Sequence, residues 1–182
     1  KLVKKRNNTV YNLLKKLREL KLISNYYSIK ITKNIPVFSG LGGGTSNAAF
    51  ILKYLLKSKI NNILLDKVEK VIGTDFKLFF NDQGYMKNLR TIVDLKKKHK
   101  FCFVLIQPKI KCSTKRIYSK VKNFSPKENL NRNMIKSRNI FLDYLRKSRN
   151  DLQFIVERTY PIIKILLKDI KNEKGCHFSR LT

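Results

Sequence analysis

Apolar residues recur at Val10, Leu13, Leu14, Leu17 and Leu20, the spacing of one helix face, directly after an asparagine pair able to cap it. The next pattern has a period of two. Tyr27, Ile29 and Ile31 alternate with Ser28, Lys30 and Thr32, which predicts a half-buried strand. After Pro36 and a run of glycines, Ala48, Leu52, Leu55 and Leu56 mark a second helix. "LLDKVEKVIG" marks a third, stopped by Gly73. From Tyr85 to Lys98 the pattern is weak. "FCFVLI" (101–106) then has the length and composition of a buried strand ended by Pro108. A short helix is expected after Thr114, a basic loop over 123–138, and helices over "NDLQFIVERTY" and "PIIKILLKDIKN". The last of these has Pro161 in its first turn and Gly175 beyond its end. "CHFSRLT" reads as the start of another strand.

Helices and strands mix without a βαβ repeat, which predicts an α+β fold. The boundary falls in the weakly patterned basic stretch, giving domains 1–97 and 98–182. With 182 residues and 42% hydrophobic composition, the chain has enough apolar surface for folded domains. No apolar run reaches the length of a membrane span. Cys102, Cys112 and Cys176 are widely spaced, with neither a zinc pattern nor a disulfide framework. Buried, reduced thiols in a cytoplasmic protein are therefore expected.

The charge is extreme, with 41 Lys and Arg against 12 Asp and Glu. Such a field attracts anions, and a basic nucleic-acid-binding module is the alternative it raises. The basic residues are spread over every segment, however, and no RNA- or DNA-binding signature accompanies them. No specific nucleic acid and no membrane is expected as partner.

The sharpest signal is "GLGGGTSNAAF", Gly40–Phe50, which holds four of the seven glycines. A glycine loop opening a helix lets phosphate oxygens reach the unpaired N–H groups of the first turn. Thr45 and Ser46 can cap that helix or offer hydroxyls to a phosphate or its Mg²⁺. The loop lacks the lysine of a Walker A motif and the third glycine of a Rossmann fingerprint.

"IPVFSGLGGGTSNAA" resembles instead the phosphate loop of the GHMP kinases. Three further stretches follow in that family's order: "VIGTDFKLFF", "IQPKIKCSTKRIYSKV", and the tail with "NDLQFIVERTYP" and "SRLT". The resemblance implies an ATP- and Mg²⁺-dependent kinase acting on a small-molecule alcohol. Its triple glycine is closest to the branch whose substrate carries a cytidine diphosphate; another GHMP small-molecule kinase is the alternative. Pro36, Gly40, Leu41, Gly42, Gly43, Gly44, Thr45 and Ser46 would hold the nucleotide, with Ser46 also the candidate Mg²⁺ ligand. Asp75 would be the catalytic base, expected to be partly buried; the alternative for it is a helix cap. Thr114 and Tyr118 would bind substrate, Tyr118 by stacking on cytosine.

The same resemblance implies two domains, a ribosomal S5 domain 2-like one and a ferredoxin-like one, in a monomer or homodimer. It also implies that strands, a catalytic lysine and a second glycine loop lie outside residues 1–182. The chain therefore reads as truncated at both ends and inactive as it stands. Phe38, Lys77 in place of the family's proline, and "GYMKNLRTIVDL" without Gly-x-Gly-Glu depart from the family pattern.

Overall fold

The computed structural model describes residues 8–34, 39–88, 91–95, 98–110, 112–126, 130, 135 and 137–182, excepting the side chains of 114 and 115. Pro36 and Phe38 lie outside this set. The chain divides into two compact units, Lys1–Lys98 and His99–Thr182.

In the first unit, helix α1 (Thr9–Glu19) starts where the Asn8 side chain accepts the Val10 N–H at 3.0 Å. Its buried residues are Val10, Leu13, Leu14 and Leu17, the predicted stripe. Helix α2 (Gly43–Leu56) buries Ala48, Ala49, Leu52 and Leu56, and a 3₁₀ turn, Lys57–Lys59, follows it. Asn61 caps helix α3 (Asn62–Ile72), which buries Leu64, Leu65 and Val68. Gly73, at φ 126°, then breaks α3 into a seven-residue 3₁₀ turn, Thr74–Phe80. These elements share one core, with Leu13, Leu17, Leu52, Val68 and Phe76 fully enclosed. Each such side chain contributes about 1.5–3 kcal/mol through removal from water. Ala48 and Ala49 are buried in the same core, at 0% and 1% exposure.

The weakly patterned stretch contains an antiparallel hairpin, strands β1 (Gly84–Asn88) and β2 (Thr91–Asp94). Its register pairs Tyr85 with Val93 and Met86 with Ile92, with an irregularity before Asn88.

The second unit contains helices α4 (Thr114–Tyr118), α5 (Arg138–Lys147), α6 (Asp151–Thr159) and α7 (Pro161–Asn172). Ile117, Val156 and Ile163 form its buried centre, with Leu152, Leu167 and Leu181 packed around them. No helix among the described residues is long and apolar enough to cross a membrane.

The architecture is thus α-rich with a small antiparallel sheet. Three strand expectations fail among the described residues. Segments 27–32, 101–106 and 176–182 have no ladder, because no described strand pairs with them backbone to backbone. Phe103 and Val104 are 74% and 85% exposed, so "FCFVLI" is not a buried strand here. The thiols differ from expectation as well. Cys102 and Cys112 are exposed and Cys176 is half-buried, since the segments that carry them lie on the surface of the second unit.

Candidate active site

The glycine loop owes its shape to backbone conformations that only glycine adopts without strain. Gly40 and Gly42 have φ of 77° and 61°. Gly42 is the residue from which α2 starts, and no side chain caps the helix there. The first helical bond runs from the Ser46 N–H to the Gly42 carbonyl at 2.8 Å. The first-turn N–H groups of Gly43, Gly44 and Thr45 are therefore the ones at the positive end of the helix dipole. This corrects the expected cap. Thr45 and Ser46 already lie inside the helix, because the left-handed Gly42 starts it earlier. The Ser46 hydroxyl donates instead to the Gly43 carbonyl at 3.1 Å.

The surroundings fix the loop from several sides. Thr9 Oγ1 donates to the Gly44 carbonyl at 2.7 Å, tying the first turn of α1 to that of α2. Lys33 Nζ approaches the Gly43 carbonyl at 3.4 Å. With its amide oriented to satisfy both neighbours, Asn47 donates to the same carbonyl at 3.3 Å and accepts from Lys33 Nζ at 2.8 Å. Among the described residues, a Cβ on Gly43 would meet nothing within 4 Å, so they leave the space beside the first N–H groups open. That open space fits an anion placed against the helix N-terminus. Farther along α2, an open cleft of about 350 Å³ is lined by Ser46, Asn47, Ala49, Phe50, Lys53 and Phe79. Lys53 Nζ crosses from α2 to donate to the Phe79 carbonyl at 2.6 Å.

Sequence reasoning missed Lys33 and Lys53. Lys53 was within reach, since it lies seven residues from Ser46 and so on the same helix face. Nothing in the pattern marks Lys33.

Asp75 sits at the start of the 3₁₀ turn and is exposed, not partly buried. The reason is its neighbour: Phe76 takes the core position at 0% exposure. The helix-cap alternative also fails, because Gly73 precedes the turn and no side chain caps it. Asp75 has no hydrogen-bond or ion-pair partner among the described residues. Lys77, by contrast, pairs with Asp66 and with Glu69 Oε2, the latter at 3.1 Å, and its side chain is only 11% exposed. The Asp66 hydrogen bond holds the Lys77 ammonium above the ordinary lysine range, with Glu69 adding to it and burial opposing.

In the second unit, Thr114 opens α4 and Tyr118 closes it. Ile117 is buried at 2% while Tyr118 stands 54% exposed, so the tyrosine is not a core residue. Asn150 caps α6 through the Leu152 N–H, and its amide also donates to the Leu181 carbonyl at 2.9 Å. Asp151 accepts both the hydroxyl and the backbone N–H of Ser125. The glycine loop and Asp75 thus belong to one unit, and Thr114 and Tyr118 to the other. Among the described residues, no group of three His, Cys, Asp or Glu side chains could hold a metal ion.

Comparison with known proteins gives consistent results. Residues 8–73 match the family model described as GHMP kinases N terminal domain. The chain is similar to the 4-diphosphocytidyl-2-C-methyl-D-erythritol kinase of Pelagibacter ubique (strain HTCC1062), 35% identical over 180 residues, covering 96% of this chain and 63% of that protein. The enzyme of the same name from Persephonella marina (strain DSM 14350 / EX-H1) is 38% identical over 123 residues, 63% of this chain and 43% of its own. That of Anaplasma phagocytophilum (strain HZ) is 29% identical, over 85% of this chain and 53% of its own. The chain thus spans at most 63% of the length of these relatives. No solved structure matches at a significant level. The left-handed glycine loop and the uncapped start of α2 lie within the segment that matches the GHMP kinases N terminal domain.

Proposed function

We propose that the protein is an ATP-dependent kinase that phosphorylates the 2-hydroxyl of 4-diphosphocytidyl-2-C-methyl-D-erythritol, in the non-mevalonate (MEP) route to isoprenoid precursors. The observation that carries this reading is similarity over 96% of the chain to a kinase named for that substrate. The open, uncapped start of α2 supports it chemically.

In this reading the N–H groups across Leu41–Thr45 hold the nucleotide phosphates, with Gly40 at the entry to the loop and Ser46 contributing its side chain. The Ser46 hydroxyl spends its proton on the Gly43 carbonyl. Its oxygen lone pairs would serve as a ligand for Mg²⁺, which would supply charge neutralisation at the transferred phosphoryl group. The substrate oxygen attacks the γ-phosphorus, the bond to the ADP oxygen breaks, and Asp75 accepts the hydroxyl proton. An exposed carboxylate without a partner is free to take that proton. Tyr118 stacks on cytosine from the end of α4, with Thr114 at its start. Residues 1–97 form the S5-like nucleotide domain and 98–182 part of the ferredoxin-like domain. The protein acts in the cytoplasm as a monomer or homodimer.

The test is an assay of the polypeptide encoded by the complete reading frame, with ATP, Mg²⁺ and the diphosphocytidyl substrate, beside Asp75→Asn. Turnover that falls in the variant by about 10²–10⁴-fold supports the reading. A folded wild-type protein that leaves this substrate untouched overturns it.

A further inference from the structure

We propose that Lys77 is a positioning residue acting through Asp75. Its ammonium, held between Asp66 and Glu69 of α3, fixes the 3₁₀ turn from which Asp75 projects. This rests on the kinase reading above.

The turn needs such a restraint. Runs of 3₁₀ helix longer than about 3–4 residues are uncommon because their hydrogen bonds are poorly aligned, and this one spans seven. It is preceded by Gly73 in a conformation that only glycine adopts easily, and followed by an extended Asn81. Its far end is well fixed. Phe79 lies against Gly42 and Lys53 holds the Phe79 carbonyl, while the buried Phe76, whose ring meets Phe80 edge to face at 5.2 Å, ties the middle of the turn to the core. Its near end carries Asp75, which has no partner of its own. The direction of that carboxylate is therefore inherited from the backbone, and Lys77 is the charged anchor two residues away.

The environment of Lys77 is too specific for a solvated surface lysine. Its side chain is 11% exposed and that of Glu69 15%, and Glu69 Oε1 is buried without a partner among the described residues. Enclosing a lysine in this way costs side-chain entropy and hydration. The cost is offset only if the ammonium stays between its carboxylates. In the motif this stretch resembles, a proline occupies the same position and stiffens the backbone through its ring. Here the side chain supplies the restraint, by binding the turn to α3.

The experiment compares wild type, Lys77→Met, Lys77→Arg and the milder Asp66→Asn in the complete protein. It reads amide hydrogen exchange over 74–80 together with kcat and KM for ATP. In Lys77→Met, exchange in the turn should rise about tenfold while α1 keeps its protection. Turnover should fall about 10- to 100-fold at unchanged KM. Lys77→Arg should recover both, and Asp66→Asn should move both the same way by less. If Lys77→Met does not fold, the Asp66→Asn pair of readouts decides. Unchanged turnover in the variants beside an active wild type overturns the positioning role alone, even if exchange rises. A folded wild type without kinase activity instead overturns the kinase reading and the role that rests on it.

Discussion

Gly42 and Phe79 stand so close that a Cβ on the glycine would lie 2.9 Å from the ring Cζ. The left-handed φ of 61° at Gly42 adds a second restriction. Gly42→Ala should therefore lower stability by about 1–2 kcal/mol from backbone strain alone, with a further loss as Phe79 shifts. Gly43 differs. Its Cβ would enter open space, and the residue is already helical. Gly43→Ala should leave the unfolding free energy from urea titration within about 0.5 kcal/mol of wild type and weaken nucleotide binding by filling the space beside the N–H groups. Calorimetric titration with ATP checks the second effect. Equal affinity in Gly43→Ala and wild type would remove the loop from the nucleotide site.

Ile117 and Tyr118 are adjacent on α4 and face opposite environments. Ile117→Ala should destabilise the second unit by about 2–5 kcal/mol through the cavity it leaves among Val156 and Ile163. Tyr118→Leu should leave the unfolding curve in place and raise KM for the cytidine-bearing substrate, because the ring is exposed. Loss of stability in Tyr118→Leu would mean that the ring packs against protein.

The helices and the glycine loop were legible because their signals are local. Val10 to Leu17 repeat at helical spacing behind an asparagine cap, and Gly73 ends α3 where the pattern stops. Helix α5 gave little signal, because Phe141 is the only buried residue of that element. The hairpin was hidden because its pairing joins short strands whose residues are all exposed or half-buried. Segments 27–32 and 101–106 alternate or run apolar as strands do, yet a strand exists only with a neighbour, which a local pattern cannot supply. The site divides in the same way. Gly40 to Ser46 could be read from composition and order. The exposure of Asp75 depends on Phe76 taking the core, and the function of Lys77 depends on α3 folding back beside it.

Asp151 gives a pH dependence with a definite sign. The Ser125 hydroxyl, and then the Ser125 N–H, hold its carboxyl below the ordinary value of 3.8. The contact is therefore fully present above that value and is lost as the pH falls through the lower, folded one. The Ser125 amide resonance should stay constant from neutral pH down to the ordinary aspartate range and shift only below it. Asp151→Asn should abolish that transition. A Ser125 shift centred well above pH 4 would contradict the assignment.

Ser179, Arg180 and Leu181 bond to three different helices, and Arg180 supplies the contact with α5. It donates to the Leu145 and Ser148 carbonyls at 2.6 and 2.5 Å, at the C-terminal end of α5, where a cation is favoured by the helix dipole. On one side of it, Ser179 donates to the Leu167 carbonyl of α7 at 2.6 Å. On the other, both peptide groups of Leu181 bond to α6 side chains, its N–H to Gln153 and its carbonyl to Asn150. Burial lowers the affinity of the guanidinium for its proton, but an arginine this far above neutrality stays charged. Arg180→Met should cost about 1–2 kcal/mol, the lower part of the range for charge-assisted bonds, because the residue is partly exposed. Arg180→Lys should recover much of this, since both bonds come from the single Nη2 and an ammonium can also donate twice. Limited proteolysis distinguishes a clamp from a resting contact. If the clamp holds the segment, Arg180→Met will be cut within 176–182 before the helices unfold. If cutting tracks global unfolding instead, the Leu181 bonds to α6 suffice and Arg180 serves only to close α5.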